Sequence, residues 1–230
     1  MSDGQARLLH DRAAALAPGE TIVEIGSFRG RSMIVLASAA SDGVEVVAID
    51  PHLGSDCGPQ EIEADQARGD DDFEVFNANL AAAGVADRVR HVRKRSGDAL
   101  GDLEGEIDLL YIDGAHRLGP ARADIRDWGD RVRVGGTMLV HDSFSSVGVT
   151  LALLTTTFFG GRWRYVGRSR SMAEYRRADL SALGRLANGA RQAPQLAWFV
   201  RNVAIKVLIL ARLGPLTRLL GHRDPTEWPY

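Results

Sequence analysis

The feature that most limits how this chain can fold is a repeating alternation. A short apolar run ends in a glycine or an acid, a stretch with helical spacing follows, and then another apolar run begins. TIVEIGS (21–27) closes on glycine and serine, VEVVAID (44–50) on Asp50, IDLLYID (107–113) on Asp113, and TMLVHDS (137–143) on His141, Asp142 and Ser143. Helical patterns occupy 5–17, 30–40, 73–85, 119–131 and 147–158. An alternating strand inside RVRHVRKRSGDAL (88–100) leads to Ser96, Gly97 and Asp98, and Gly135-Gly136 reads as a turn. RWRYVGRS and SMAEYRR (162–169 and 171–177) read as a closing antiparallel hairpin.

Strands that alternate with helices predict a parallel sheet covered on both faces. The expected fold is therefore α/β: a Rossmann-like, seven-stranded, mostly parallel sheet with helices on both faces, a final antiparallel hairpin and a C-terminal helical extension. Right-handed crossovers bring the strand C-termini to one edge. Ligands of open α/β sheets sit in the crevice beyond that edge. Gly26, Asp50, Asp98, Asp113, His141 and Asp142 all fall there.

The alternation stops at residue 179, which suggests a domain over 1–178 and an extension over 179–230. Charge divides nearly there too. Residues 1–161 carry 15 Lys/Arg and 26 Asp/Glu, whereas residues 162–230 carry 13 and 4. The basic tail either packs on an acidic body, its own or a partner subunit's, or forms a functional basic surface. Within it, QLAWFVRNVAIKVLILARLGPLTRLLG (195–221) is a helix candidate interrupted at Gly214-Pro215. Arg201, Lys206 and Arg212 each cost about 2.5–3.5 kcal/mol at a bilayer centre, which disfavours a spanning segment. A core or dimer helix, a membrane-surface helix or a cap over a substrate site remain. A single cysteine, Cys57, rules out an intrachain disulfide framework and suits a reducing cytoplasm. The first twenty residues have no apolar signal-peptide core. Residues 52–72, rich in acids and without apolar periodicity, read as a mobile loop or a short polar helix, placed where a lid would close.

VEIGSFRGRS places Glu24, Gly26, Ser27, Gly30 and Ser32 between a strand and the helix after it. Glycines permit a tight turn, and a helix N-terminus offers free N–H groups. The spacing G-x-x-x-G is not the dinucleotide G-x-G-x-x-G, and no P-loop lysine follows. An acid before the first glycine repels pyrophosphate but suits a ligand bearing an amino group. Asp50 can accept from both hydroxyls of a ribose, and Asp98 from an exocyclic amine.

As a set, VEIGSFRGRS, VVAID, RSGDAL and GGTMLVHDS resemble the class I S-adenosylmethionine-dependent methyltransferases over roughly residues 10–178. The resemblance implies that Glu24 and Gly26 flank the methionine part of the cofactor, with Ser27, Gly30 and Ser32 beside them. It implies that Asp50 binds ribose, that Ser96, Gly97 and Asp98 lie near adenine, and that Asp113 adjoins the methyl group. DG-x-H after the fourth strand and HD after the fifth resemble the metal-dependent sugar and small-molecule O-methyltransferases, including the actinobacterial type that methylates the 1-hydroxyl of a mannoside in methylmannose polysaccharide assembly. Carried over, Asp113, His141 and Asp142 would hold Mg²⁺ or Mn²⁺. His141 departs from the oxygen ligands usual there and can instead serve as a base. His116 is the first choice of general base, since imidazole titrates near neutrality. The expected reaction is methyl transfer to a hydroxyl of a small acceptor, a sugar or oligosaccharide, by a cytoplasmic homodimer that does not bind nucleic acid and touches membranes at most peripherally. A catechol-type enzyme and a non-catalytic cofactor-binding, membrane-associated module are the alternatives.

Overall fold

The computed structural model describes residues 1–57, 60–61 and 63–224, with the backbone alone for 56–57 and 60–61. Seven strands form one sheet: β1 (Thr21–Ile25), β2 (Glu45–Ile49), β3 (Val89–Val92), β4 (Ile107–Ile112), β5 (Val132–Val140), β6 (Trp163–Ser169) and β7 (Met172–Arg177). Their order is β3-β2-β1-β4-β5-β7-β6. The first five named in that order run parallel, and β7 and β6 close the sheet antiparallel. A two-residue antiparallel ladder, Asp56–Cys57 with Gln60–Glu61, lies outside it.

β1 and β4 are buried at every position. Their Val, Ile and Leu content is what a strand covered on both faces requires. On one face, Ile22, Leu109 and Leu139 pack under α1 (Asp3–Ala14), α2 (Arg31–Ala39) and α3 (Gln66–Ala82), through Leu9, Met33, Leu36 and Phe76. On the other, Val23, Leu110 and Val140 pack under α4 (Leu118–Asp127) and α5 (Val147–Thr156), through Ile125 and Leu153. The long α6 (Ala182–Leu210) lays Leu196, Trp198 and Phe199 against this second cluster.

Three boundaries differ from the sequence expectation. Gly135-Gly136 is not a turn before the fifth strand: β5 runs unbroken from Val132. Its pairing with β4 jumps from Ile107↔Val132 to Leu109↔Thr137, so the intervening residues bulge while the ladder resumes. α3 begins at Gln66 rather than 73, because Asp65 caps it by accepting from the Arg68 N–H at 3.2 Å. Its first turns are polar and show no apolar period. The remainder of the 52–72 lid expectation falls partly on residues outside those described. α6 begins at Ser181's cap, passes through Pro194 and stops at Leu210, with a 3₁₀ stretch, Gly214–Leu220, after it.

Two polar side chains tie distant elements together. Gln5 completes a capping box at the start of α1: its Oε1 accepts from the Ser2 N–H at 2.7 Å. Asn188 of α6 is buried against β6, where its Oδ1 accepts from the Tyr165 N–H at 2.7 Å and its Nδ2 donates to Trp163 O at 3.0 Å.

Candidate active site

The strand C-termini carry the most constrained backbone in the chain. Six non-glycine residues among those described have positive φ, and four of them follow β1, β2 or β5: Phe28, His52, Asp142 and Phe144. Such residues are uncommon and cluster at functional sites. The loops after β1 and β2 are clamped by Asp50. Its Oδ2 accepts from the Phe28 N–H at 2.8 Å and its Oδ1 from the His52 N–H at 2.7 Å. His52 Nε2 lies 2.8 Å from Phe28 O and closes the clamp. Asp50 is thus buried and rotationally fixed, with lone pairs left on both oxygens.

Gly26 has φ +86, and a Cβ there would lie 2.4 Å from the Asp113 carbonyl oxygen. The glycine is needed because the loops after β1 and β4 approach so closely. Gly30 supplies the left-handed N-cap of α2, with φ 82. Beneath them, Glu24 is fully buried, and neither carboxylate oxygen makes a hydrogen bond to the described residues. Burial pushes its pKa up to about 8, held back by the Ser32 and Ser27 hydroxyls and raised further by the charges of Asp113 and Asp50. Burial keeps this carboxyl neutral at neutral pH; an ammonium group placed beside it would favour its ionised form.

A cavity of about 510 Å³ opens beside these residues, lined by Gly26, Asp50, Ser96, Asp98, Asp124 and Trp128 among others. The sequence reading missed Asp124 and Trp128, which arrive from α4 and its C-terminal cap. Ser96 Oγ donates to Asp124 Oδ1, and Trp128 Nε1 donates to Ser96 O at 3.2 Å. Burial raises the Asp124 pKa to about 6, against the Ser96 hydrogen bond. Asp98 is exposed at the rim in a 3₁₀ turn, several residues past the end of β3. Gly97 has open space where a Cβ would stand.

Asp113, His116, His141 and Asp142 converge as expected. His116 Nε2 lies 2.7 Å from Asp142 Oδ2. His141 Nδ1 lies 3.1 Å from Asp113 Oδ1 and 3.4 Å from Asp142 Oδ1. Asp113 is also held by Tyr111, whose hydroxyl donates to its Oδ2 at 2.9 Å. Behind His141 stands Gln5, with its Nε2 3.3 Å from His141 Nε2 and 3.2 Å from Ser171 Oγ. No local sequence signal could have paired Gln5 with a residue 136 positions away.

Burial alone would lower the pKa of both histidines. The carboxylates reverse this: Asp142 raises His116, and Asp113 with Asp142 raises His141 to about 10. The same contacts hold Asp142 well below the usual carboxylate range, against its burial. Gln5 opposes protonation of His141. Its Oε1 is committed to Ser2, so its amide N–H groups face His141 Nε2, and a proton there requires the amide to turn.

The expected ligands Asp113, His141 and Asp142 do not fit a divalent ion as arranged. Three of the four carboxylate oxygens face an imidazole nitrogen and the fourth a tyrosine hydroxyl, with His141 Nδ1 and Asp142 Oδ1 making no hydrogen bond to the described residues. Among the described residues no group of three or more His, Cys, Asp or Glu side chains is set to hold a metal ion.

Comparison with known proteins agrees with this architecture. Residues 23–143 match the model of a family described as "Methyltransferase domain". The chain belongs to that family. The family's matched span runs from β1 through the turn after β5 and so contains the whole strand-end constellation. Among curated proteins it is similar to the uncharacterized protein y4gI of Sinorhizobium fredii, 26% identical over 136 residues; that stretch is 56% of this chain and 14% of the relative's length. Among solved structures it is similar to cofactor-bound Rv0187 from MTB (TM-score 0.58, 24% identity, covering 78% of this chain and 82% of that one). The O-methyltransferase NovP gives a TM-score of 0.60 at 17% identity, covering 76% and 80%. TomG of Streptomyces achromogenes, an O-methyltransferase in complex with SAM, gives 0.53 at 22% identity, covering 76% and 78%. At these identities the likeness to the three structures is one of fold.

Proposed function

We propose that this protein transfers the methyl group of S-adenosylmethionine to a hydroxyl of a small acceptor, with His116 as general base. The observation that carries the reading is the His116–Asp142 pair at 2.7 Å, at the strand edge that also bears the cavity lined by Gly26 and Asp50.

The residues fit the cofactor. Glu24, buried and without a hydrogen-bond donor, suits its ammonium group. Asp50 is oriented in advance and has lone pairs for two ribose hydroxyls. Ser96, Gly97, Asp98 and Asp124 line the part of the cavity suited to an amine-bearing ring. When bound, the cofactor supplies an electrophilic methyl on sulfur. The chain then has to place the acceptor oxygen in line with it and remove a proton. Asp142 accepts from the Nε2–H of His116 and so fixes the tautomer that leaves Nδ1 free to take that proton. His141 sits between Asp113 and Asp142, with its Nδ1 facing one carboxylate oxygen of each. The carboxylate and imidazole lining supports a hydroxyl-rich acceptor, and a sugar is the class we favour.

The test is calorimetric titration of S-adenosylhomocysteine into the protein, followed by transfer of labelled methyl to a panel of sugars and catechols. Micromolar binding with turnover on a sugar, lost in His116→Ala while binding persists, supports the reading. Absence of binding refutes it.

A further inference from the structure

The long helix α6 carries apolar side chains on two sides, one packed and one open. The side it turns to the protein mixes apolar and polar groups: Ile205 is buried and Leu196, Trp198 and Phe199 pack on the core, while buried Asn188, Gln192 and Asn202 bond respectively Tyr165 N–H, Thr157 O and Phe144 O. The side it turns outward is apolar. Leu183, Leu186, Val200, Val207 and Leu210 are between 56% and 79% exposed, and exposed alanines at 190, 193 and 197 continue the same stripe at three- and four-residue spacing. Leu213, Leu216 and Leu219 of the following 3₁₀ stretch extend it. A stripe this long is far larger than scattered surface apolar residues and marks an interaction surface.

Charge selects the partner. Between residues 180 and 223 there are seven Lys/Arg and no Asp/Glu. A second copy docked through this stripe would bring two cationic flanks together, with no acid on either segment to pair them. A spanning helix is equally unsuited. α6 is long and apolar enough to cross a bilayer by length and composition, but its asparagine and glutamine side is bonded into the body of the protein. An apolar face flanked by cations is the pattern of a helix lying in the plane of an anionic lipid surface. We infer that the outward face of α6, continued by residues 214–220, docks this protein on membranes rich in anionic lipid. The same helix holds the loop that carries Asp142: Asn202 bonds Phe144 O, and Lys206 donates to Ser145 O at 3.0 Å. Docking therefore ties the reactive end of the sheet to the membrane-bound element.

The experiment is flotation of the 230-residue chain with phosphatidylcholine vesicles, with and without phosphatidylglycerol, at low and high salt. Light scattering gives the mass in solution alongside. The expected result is roughly tenfold or greater enrichment on anionic vesicles, reversed by salt and abolished in Val200→Glu/Val207→Glu. Both positions are exposed, so the double variant should retain its far-ultraviolet circular dichroism and melting temperature. A second variant, Leu186→Glu/Leu210→Glu, takes its place if the first does not fold. Equal binding to neutral vesicles, or none to anionic ones, overturns the inference. So does a dimer that dissociates in the glutamate variant while the parent ignores vesicles, which would assign the face to a second copy.

Discussion

Glu24→Gln should make the fold more stable and the site weaker, and both effects can be sized from the structure. The Glu24 carboxyl is held protonated up to about pH 8 by burial, against an ordinary value of 4.5. Between those values the unfolded chain gives up this proton as pH rises while the folded chain keeps it. Stability therefore falls with pH across that window, by about 1.4 kcal/mol per unit, which amounts to about 3 kcal/mol by pH 7. Glutamine fills the same space without titrating. In urea melts followed by circular dichroism from pH 5 to pH 8, the variant's stability minus the parent's should therefore climb with that slope. Below pH 4.5 and above pH 8 the difference should be flat. Ligand affinity should show the opposite pattern. An ammonium group beside Glu24 favours the ionised form, so binding releases a proton and the parent's affinity for S-adenosylhomocysteine rises with pH up to about 8. In the variant affinity should be lower and independent of pH over that range. Parallel stability curves for the two proteins would refute the account of Glu24's burial, and equal affinities would refute its place in the site.

His116→Ala should lower turnover by about 10² to 10⁴-fold with binding of S-adenosylhomocysteine retained, as measured by radiolabel transfer and calorimetry. A base must be deprotonated, and Asp142 raises the pKa of His116; Asp142→Asn should therefore move the acid limb of the rate profile to lower pH. Because the donor set does not suit a divalent cation, dialysis against a chelator should leave turnover unchanged; a loss restored by Mg²⁺ would overturn that conclusion. Gly26→Ala should destabilise by about 1–2 kcal/mol from its left-handed backbone alone, and by more through the contact with Asp113 O, read as a lower urea midpoint.

The strand ends could be read from the sequence because each apolar run stops at a chemically conspicuous residue. Asp50, Asp113, His141 and Asp142 therefore lie where periodicity and topology place them. What the sequence concealed depends on contacts between distant positions. Gln5 looks like an ordinary first-turn helix residue, and only the folded chain brings it to His141. Asp124 sits mid-helix, and its role follows from Ser96 arriving opposite it. The pair Gly135-Gly136 carries turn chemistry, yet the ladder with β4 resumes beyond it and absorbs both residues in a bulge. α3 hides its start because polar residues cap and open it, so no apolar rhythm appears before Phe73. α6 misleads more deeply: its regular apolar stripe suggests a face packed on the core, whereas that stripe is exposed and the packed side mixes Asn188, Gln192 and Asn202 with Leu196, Trp198, Phe199 and Ile205. The metal reading rested on strand-end placement and on the resemblance to metal-dependent methyltransferases. The geometry pairs those same side chains with one another.

The Asn188 amide has a consequence for the solubility of the chain. β6 is the last strand of the sheet, and an edge strand with open N–H and C=O groups is a template on which another chain can grow. Asn188 offers one acceptor to Tyr165 N–H and one donor to Trp163 O, the two groups that a neighbouring strand would have used. A single side chain thus imitates a peptide unit and occupies this edge between Trp163 and Tyr165. A chain shortened before Ser181 would lose that plug, and its failure would appear first as edge-to-edge aggregation rather than as a change in chemistry.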